Sequence, residues 1–150
     1  MAPDEGTTLK LRAEDVEDLE VISACLQDAL VPVRDLAYAL EDRSFLLVAN
    51  RFRWEGGLRP GPDEAGYERI LCGIRFGDVS AVSYSGFRRS EGGRILSLPA
   101  IRQKAGGILL EFSGGATIRL EVGRILCHAR DLGEPWPTRW QPRHDADERA

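Results

Sequence analysis

A chain of 150 residues with 43% hydrophobic and 29% charged side chains fits one domain whose core needs no metal or disulfide, and it excludes wholesale disorder and collagen-like structure. Its longest uncharged apolar runs, such as Phe45–Ala49, fall far short of the ~20 residues that span a bilayer. A net charge of −4 argues against a general nucleic-acid binder, which needs a basic surface.

Residues 1–8 are acidic, have little to bury and read as a flexible tail. They lack the basic and apolar regions of a signal peptide, so the cytoplasm is the expected compartment. Leu9 and Leu11 alternate with Lys10 and Arg12, the pattern of a short leading strand. Val16, Leu19, Ile22, Leu26, Ala29 and Leu30 then recur at spacings of three and four, which predicts an amphipathic helix over about 15–30. Asp15 caps its start, Glu14, Glu17 and Asp18 suit the positive end of its dipole, and Pro32 stops it.

Everything after the helix reads as strands. Leu36, Tyr38 and Leu40 alternate with smaller or polar residues, Glu41-Asp42-Arg43 offers a turn, and Ser44–Trp54 returns. In that return Leu46, Val48, Asn50, Phe52 and Trp54 share one face, and Phe45, Leu47, Ala49, Arg51 and Arg53 share the other. The strand is therefore expected to run from the core to an arginine-bearing surface, with Phe52 and Trp54 read as core. Residues 55–66 are saturated with Gly and Pro and read as a mobile loop. Tyr67–Phe76 and Val79–Phe87 flank Gly77-Asp78 as a hairpin. Ile95–Ile101 is a strand that Pro99 demotes to an edge or a bulge. Ile108–Phe112 and Thr117–Val122 form a second hairpin, with Ile118, Leu120 and Val122 inward and Arg119 and Glu121 outward. A last strand over about 124–130 ends at Asp131-Leu132-Gly133, and a Pro-rich segment follows in which Trp136 is placed to dock on the body. The sum is an α+β fold: one N-terminal amphipathic helix packed on a mostly antiparallel sheet of about seven strands in consecutive hairpins, with curling into a partial barrel as one way to hide the edges. One domain over 9–136 sits between tails at 1–8 and 137–150.

Charge is distributed unevenly. Residues 1–30 carry eight acids (Asp4, Glu5, Glu14, Asp15, Glu17, Asp18, Glu20 and Asp28) against Lys10 and Arg12, a sum of −6 that leaves +2 for the rest. Cys25, Cys72 and Cys127 are odd in number, far apart and flanked by apolar residues, the setting of reduced core thiols rather than a zinc or redox site.

The hexapeptide Asn50-Arg51-Phe52-Arg53-Trp54-Glu55 is the most distinctive segment. With Leu19–Asp28 upstream, and with Ile118–Val122 and Arg130–Trp136 downstream, it resembles an uncharacterised alphaproteobacterial family, a small domain of unknown function, over most of residues 9–136. Members of that family tend to be encoded near histidinol dehydrogenase and a peptidoglycan-precursor enzyme. The resemblance hints at housekeeping, implies no activity and brings no catalytic residues.

Physically, Arg51 and Arg53 point the same way on a strand, about 6.5–7 Å apart. That spacing suits an anion, so Asn50, Arg51, Arg53, Trp54 and Glu55 form the candidate ligand site, against the blander reading of cross-strand ion pairs. Arg88, Arg89 and Arg94 surround a diglycine without Walker spacing and read as a solvated turn. His128 near Asp131 has the makings of a general base, yet no nucleophile motif accompanies it. The acids of the helix lack calcium-loop spacing and read as a solvated face, or as a dock for a basic partner. Neither a catalytic set nor a metal or cofactor site is read. The expectation is a non-catalytic cytoplasmic module that binds a protein or a small anionic ligand, with no membrane contact. The alternatives are a small enzyme on an anionic metabolite, with Glu55, His128 or Asp131 carrying protons, and weak nucleotide or RNA binding through the arginines of 51–94.

Overall fold

The computed structural model describes residues 9–52 and 67–138. In chain order these form β1 (Lys10–Ala13), α1 (Val16–Cys25), β2 (Ala29–Pro32), β3 (Leu36–Ala39), β4 (Ser44–Phe52), β5 (Tyr67–Phe76), β6 (Val79–Ser85), β7 (Ile95–Leu98), β8 (Ala100–Lys104), β9 (Gly107–Glu111), β10 (Thr117–Val122) and β11 (Cys127–Thr138). Three short 3-10 turns complete the set.

The helix starts where its cap predicts. Asp15 is extended, and its side chain accepts from the Asp18 N–H at 2.8 Å. It ends sooner than expected, at Cys25, and the final apolar residues assigned to it belong to β2 instead. Leu26 closes the last turn, Asp28 adopts a left-handed φ of 63°, and the Asp28 N–H donates to the Leu98 carbonyl at 2.7 Å. Ala29 and Val31 are both fully buried while Leu30 alternates with them, so of the last two residues of the helical stripe only Ala29 keeps its inward place, now as part of a strand.

The fold class is as expected, α+β with antiparallel pairing and, among the described residues, one α-helix near the N-terminus, but the strands are arranged differently. Eleven strands among the described residues divide between two sheets, and no barrel closes. The larger has the order β1-β11-β5-β4-β2-β7, with β3 also on β4; the smaller has the order β6-β10-β9-β8. Gly77-Asp78 is therefore a corner rather than a hairpin, because β5 pairs with β4 and β11 while β6 pairs with β10. Asp78 takes a φ of 56° there, and the Gly77 N–H donates to the Leu126 carbonyl at 2.8 Å. Pro99 likewise marks a crossing: β7 ends the larger sheet and β8 ends the smaller, each an edge strand as a proline there requires. The β9–β10 hairpin stands as expected, with Ile118 and Leu120 fully buried. The last strand runs on through Asp131 to Thr138, accommodating an irregular register after Leu132, where Gly133 takes a φ of 73°.

The inner faces of both sheets and one stripe of α1 share a single hydrophobic cluster. Leu19 and Ile22 face inward from the helix, which packs against β1 of one sheet and β8 of the other. The Ser23 hydroxyl accepts from the Ile101 N–H at 2.9 Å and fixes that seam. Phe45, Tyr84, Phe87 and Phe112 form a chain of ring contacts across the junction, tilted between Phe45 and Tyr84 and edge to face in the other two pairs, with centroids 5.7–6.5 Å apart.

Candidate functional site

On β4 the register settles which side chains face where. Phe45, Leu47, Ala49 and Arg51 point into the core, and all are at most 2% exposed. The expectation that this face reaches solvent at its arginine end is thus corrected, because Arg51 is completely buried. Burial of a guanidinium is tolerable only with a charge partner, and Asp131 supplies it. Arg51 Nε and Nη2 donate to Asp131 Oδ1 and Oδ2, both at 2.8 Å, with neither side chain reaching solvent. The pair bridges over β5: Arg51 lies opposite Ile70, and Asp131 opposite Cys72. The Leu9 N–H also donates to Asp131 Oδ2 at 2.8 Å, so one carboxylate ties together β4, β11 and the lead-in to β1.

Cys72 sits beside this pair. Burial, reinforced by the charge of Asp131 and opposed by Arg51, pushes its thiol up to about 12. Burial does the same to Cys127, also to about 12, with Cys72 adding to it. Both are protonated packing groups at neutral pH, and Cys25 is half-buried.

Asn50 points the opposite way from Arg51, onto the outer face. Its carbonyl and side-chain oxygens accept from Arg69 Nη1 at 3.0 and 3.1 Å, and the Arg69 guanidinium lies 5.8 Å from the Phe52 ring centroid. Desolvation lowers the Arg69 pKa, with Asp28 opposing. Phe52 is buried, as expected for core. Arg53, Trp54 and Glu55 lie outside the described residues, as does the loop expected at 55–66.

The other candidates are placed apart. His128 alternates with Cys127 and Ala129, both buried, so it points to the outer face while Asp131 points inward. In the 88–94 turn, Arg89 donates to the Leu36 carbonyl at 2.9 Å and lies over the Tyr84 ring, and Arg94 pairs with Glu91 at 3.3 Å. Glu91 also accepts from the Arg88 N–H at 2.9 Å, which holds its carboxyl below the usual range. No group of three or more His, Cys, Asp or Glu among the described residues is placed to hold a metal ion.

The outer face of the larger sheet carries a pattern that the sequence reading missed. Register places Lys10 directly opposite Arg130, and Arg12 opposite His128, which in turn lies opposite Arg75. Like charges directly opposite on a sheet repel. Arg12 pairs with Glu14 at the edge, whereas Lys10, Arg75 and Arg130 are exposed with no carboxylate partner among the described residues. Among the residues of β1, β11, β5 and β4 whose side chains are described, no acid occupies an outward position. Beside these cations lie Leu46, Leu71 and Leu132, exposed by 37%, 41% and 39%, around half-buried Val48. Leu132 lies flat over Gly73, where a β-carbon would meet it at 3.4 Å. The alternation of Lys10 and Arg12 with Leu9 and Leu11 was legible, but the cluster appears only once β1 is known to pair with β11.

This is an antiparallel two-sheet α+β protein whose larger sheet presents Lys10, Arg12, Arg75 and Arg130 on its outer face. The family model described as "Protein of unknown function (DUF2948)" matches residues 9–144, and the chain belongs to that family. No curated protein and no solved structure matches it.

Proposed function

We propose that the protein is a non-catalytic cytoplasmic binding module that engages a protein partner through the outer face of its larger sheet. The observation that carries this reading is the set of Lys10, Arg75 and Arg130, which have no carboxylate partner among the described residues and stand beside half-exposed leucines. A fold keeps such a repulsive arrangement at a cost in stability, and a bound partner of opposite charge offsets that cost. The smaller sheet supports the reading by contrast: its outward arginines are neutralised internally, Arg102 by Glu111 at 2.9 Å and Arg119 by Glu121 at 2.7 Å, and only Lys104 at the β8 end stands without a carboxylate among the described residues.

A small enzyme acting on an anionic metabolite draws less support. Its clamp would need Arg51, which Asp131 already holds, and its proton carriers His128 and Asp131 lie on opposite faces of one strand. RNA binding through the arginines of 51–94 is likewise weakened, since Arg51, Arg69, Arg89 and Arg94 all have internal partners. The test is affinity purification of the tagged chain from its own cells at low salt, followed by gel filtration and mass spectrometry. A stoichiometric protein that stays with the chain is expected; recovery of neither a stoichiometric protein nor a copurifying ligand overturns the proposal.

A further inference from the structure

The open face is sized and patterned for one particular kind of partner element. Its four strands, at ~4.8 Å spacing, span about 14 Å, and the rows from Arg75 to Leu71 cover about 13 Å along the strands. An α-helix with side chains is about 10–12 Å wide, and three turns run about 16 Å, so a single short helix covers the patch. The chemistry divides along the strands. Arg12 and Arg75 lie in one row with His128, Lys10 and Arg130 in the next, and Leu132 and Leu71 in the row after that, with Leu46 and Val48 along the β4 margin. An occupant matching this pattern carries carboxylates toward the cationic end and aliphatic side chains toward Leu71 and Leu132.

We propose that this face receives an acidic amphipathic helix of a partner protein, its carboxylates set against Lys10, Arg75 and Arg130 and its leucine-like side chains against Leu71 and Leu132. The inference rests on the binding-module reading and names the partner's chemistry. A protein helix is favoured over single-stranded nucleic acid because stacking platforms use exposed aromatic rings, and the outward positions filled here by Leu46, Val48, Leu71 and Leu132 are aliphatic. It is favoured over a lipid surface because Leu132 lies flat over Gly73 rather than projecting to insert.

The test is a titration of the isotopically labelled full chain, followed by NMR, with an eighteen-residue synthetic helix, about 27 Å long so that three central turns cover the patch, bearing Leu at i, i+3, i+4 and i+7 and Glu elsewhere. Parallel arms use the same peptide with Lys for Glu, a single-stranded oligouridine, and vesicles containing phosphatidylserine. Shifts confined to β1, β11, β5 and β4 with the Glu peptide alone are expected. The double variant Arg75→Glu/Arg130→Glu is expected to bind it roughly tenfold more weakly. That variant removes like-charge contacts with Lys10, so its own melting temperature should be maintained or raised, which separates lost binding from lost folding.

Equal binding of the Lys peptide, shifts on other elements, or no shifts with the Glu peptide overturn the inference. Binding of oligouridine or vesicles to the face in its place overturns it in favour of those ligands. If the partner recovered from cells stays with the Arg75→Glu/Arg130→Glu chain, the module reading survives and this face is not its surface.

Discussion

Arg51 shows how one residue changes meaning between sequence and structure. Read alone, an arginine in phase with Arg53 is an anion clamp; placed in the fold, it completes an ion pair that no solvent reaches. Removing one member of such a pair leaves an uncompensated buried charge, whereas replacing both with apolar groups is often close to neutral. Arg51→Met or Asp131→Leu alone should therefore cost ~3–5 kcal/mol in urea unfolding, and the double variant much less than the sum. Additive losses would show that the two side chains do not act as a unit. The thiols beside them give a pH signature. With a folded pKa of about 12 against an ordinary 9.0, Cys72 and Cys127 keep protons that the unfolded chain has already released in that window. Their contribution is complete below pH 9 and lost as pH rises toward about 12. Stability should fall across that interval, less steeply in Cys127→Ala, and iodoacetamide should label half-buried Cys25 first. Labelling of Cys72 at the same rate would contradict this.

At the level of elements, what was legible depended on whether the signal was local. The N-terminal cap, the β9–β10 hairpin and the break at Pro99 are set by residues within a few positions of one another, and all stand in the structure. The end of α1 was not legible, because Ala29 and Val31 become strand residues only by pairing with β7, some 65 residues on. The same holds for Gly77-Asp78, where the residues specify a turn and distant strands decide that it is a corner. One local feature runs against its own chemistry. Lys104 pairs with Gly107 across a two-residue loop in which Ala105 and Gly106 take φ values of 51° and 81°. Both central residues are left-handed, as in a type I′ turn, a conformation that costs an alanine roughly 1–2 kcal/mol and suits asparagine. The Ala105 carbonyl accepts from Arg119 Nη2 at 2.9 Å, a backbone contact that a side-chain change preserves. Ala105→Asn should stabilise the protein by about 1 kcal/mol in thermal or urea melts, and a loss of stability would mean that the turn is not of this type.

For the whole molecule, composition hid the feature that now carries the functional reading. A net charge of −4 pointed away from basic surfaces, and the −6 on residues 1–30 pointed to the helix, yet strand order gathers Lys10, Arg12, Arg75 and Arg130 from three distant segments onto one face. Nothing within any one segment announces that, since pairing of β1 with β11 joins residues about 120 apart. Because the cations repel in the free protein, neutralising one should strengthen the fold. Arg130→Gln, which keeps a hydrogen-bonding side chain opposite Lys10, should raise stability by ~0.2–1 kcal/mol at low salt. The gain should shrink toward zero near 1 M salt, where the screening length falls to about 3 Å. Arg102→Gln on the smaller sheet is the control of opposite sign: it breaks the pair with Glu111 at 2.9 Å and should lose up to about 1 kcal/mol. Unfolding curves for the two variants at low and high salt separate the faces. If Arg130→Gln loses stability, or gains equally at both salt concentrations, the outer face is not an unbalanced one, and the case for a partner of opposite charge loses its physical basis.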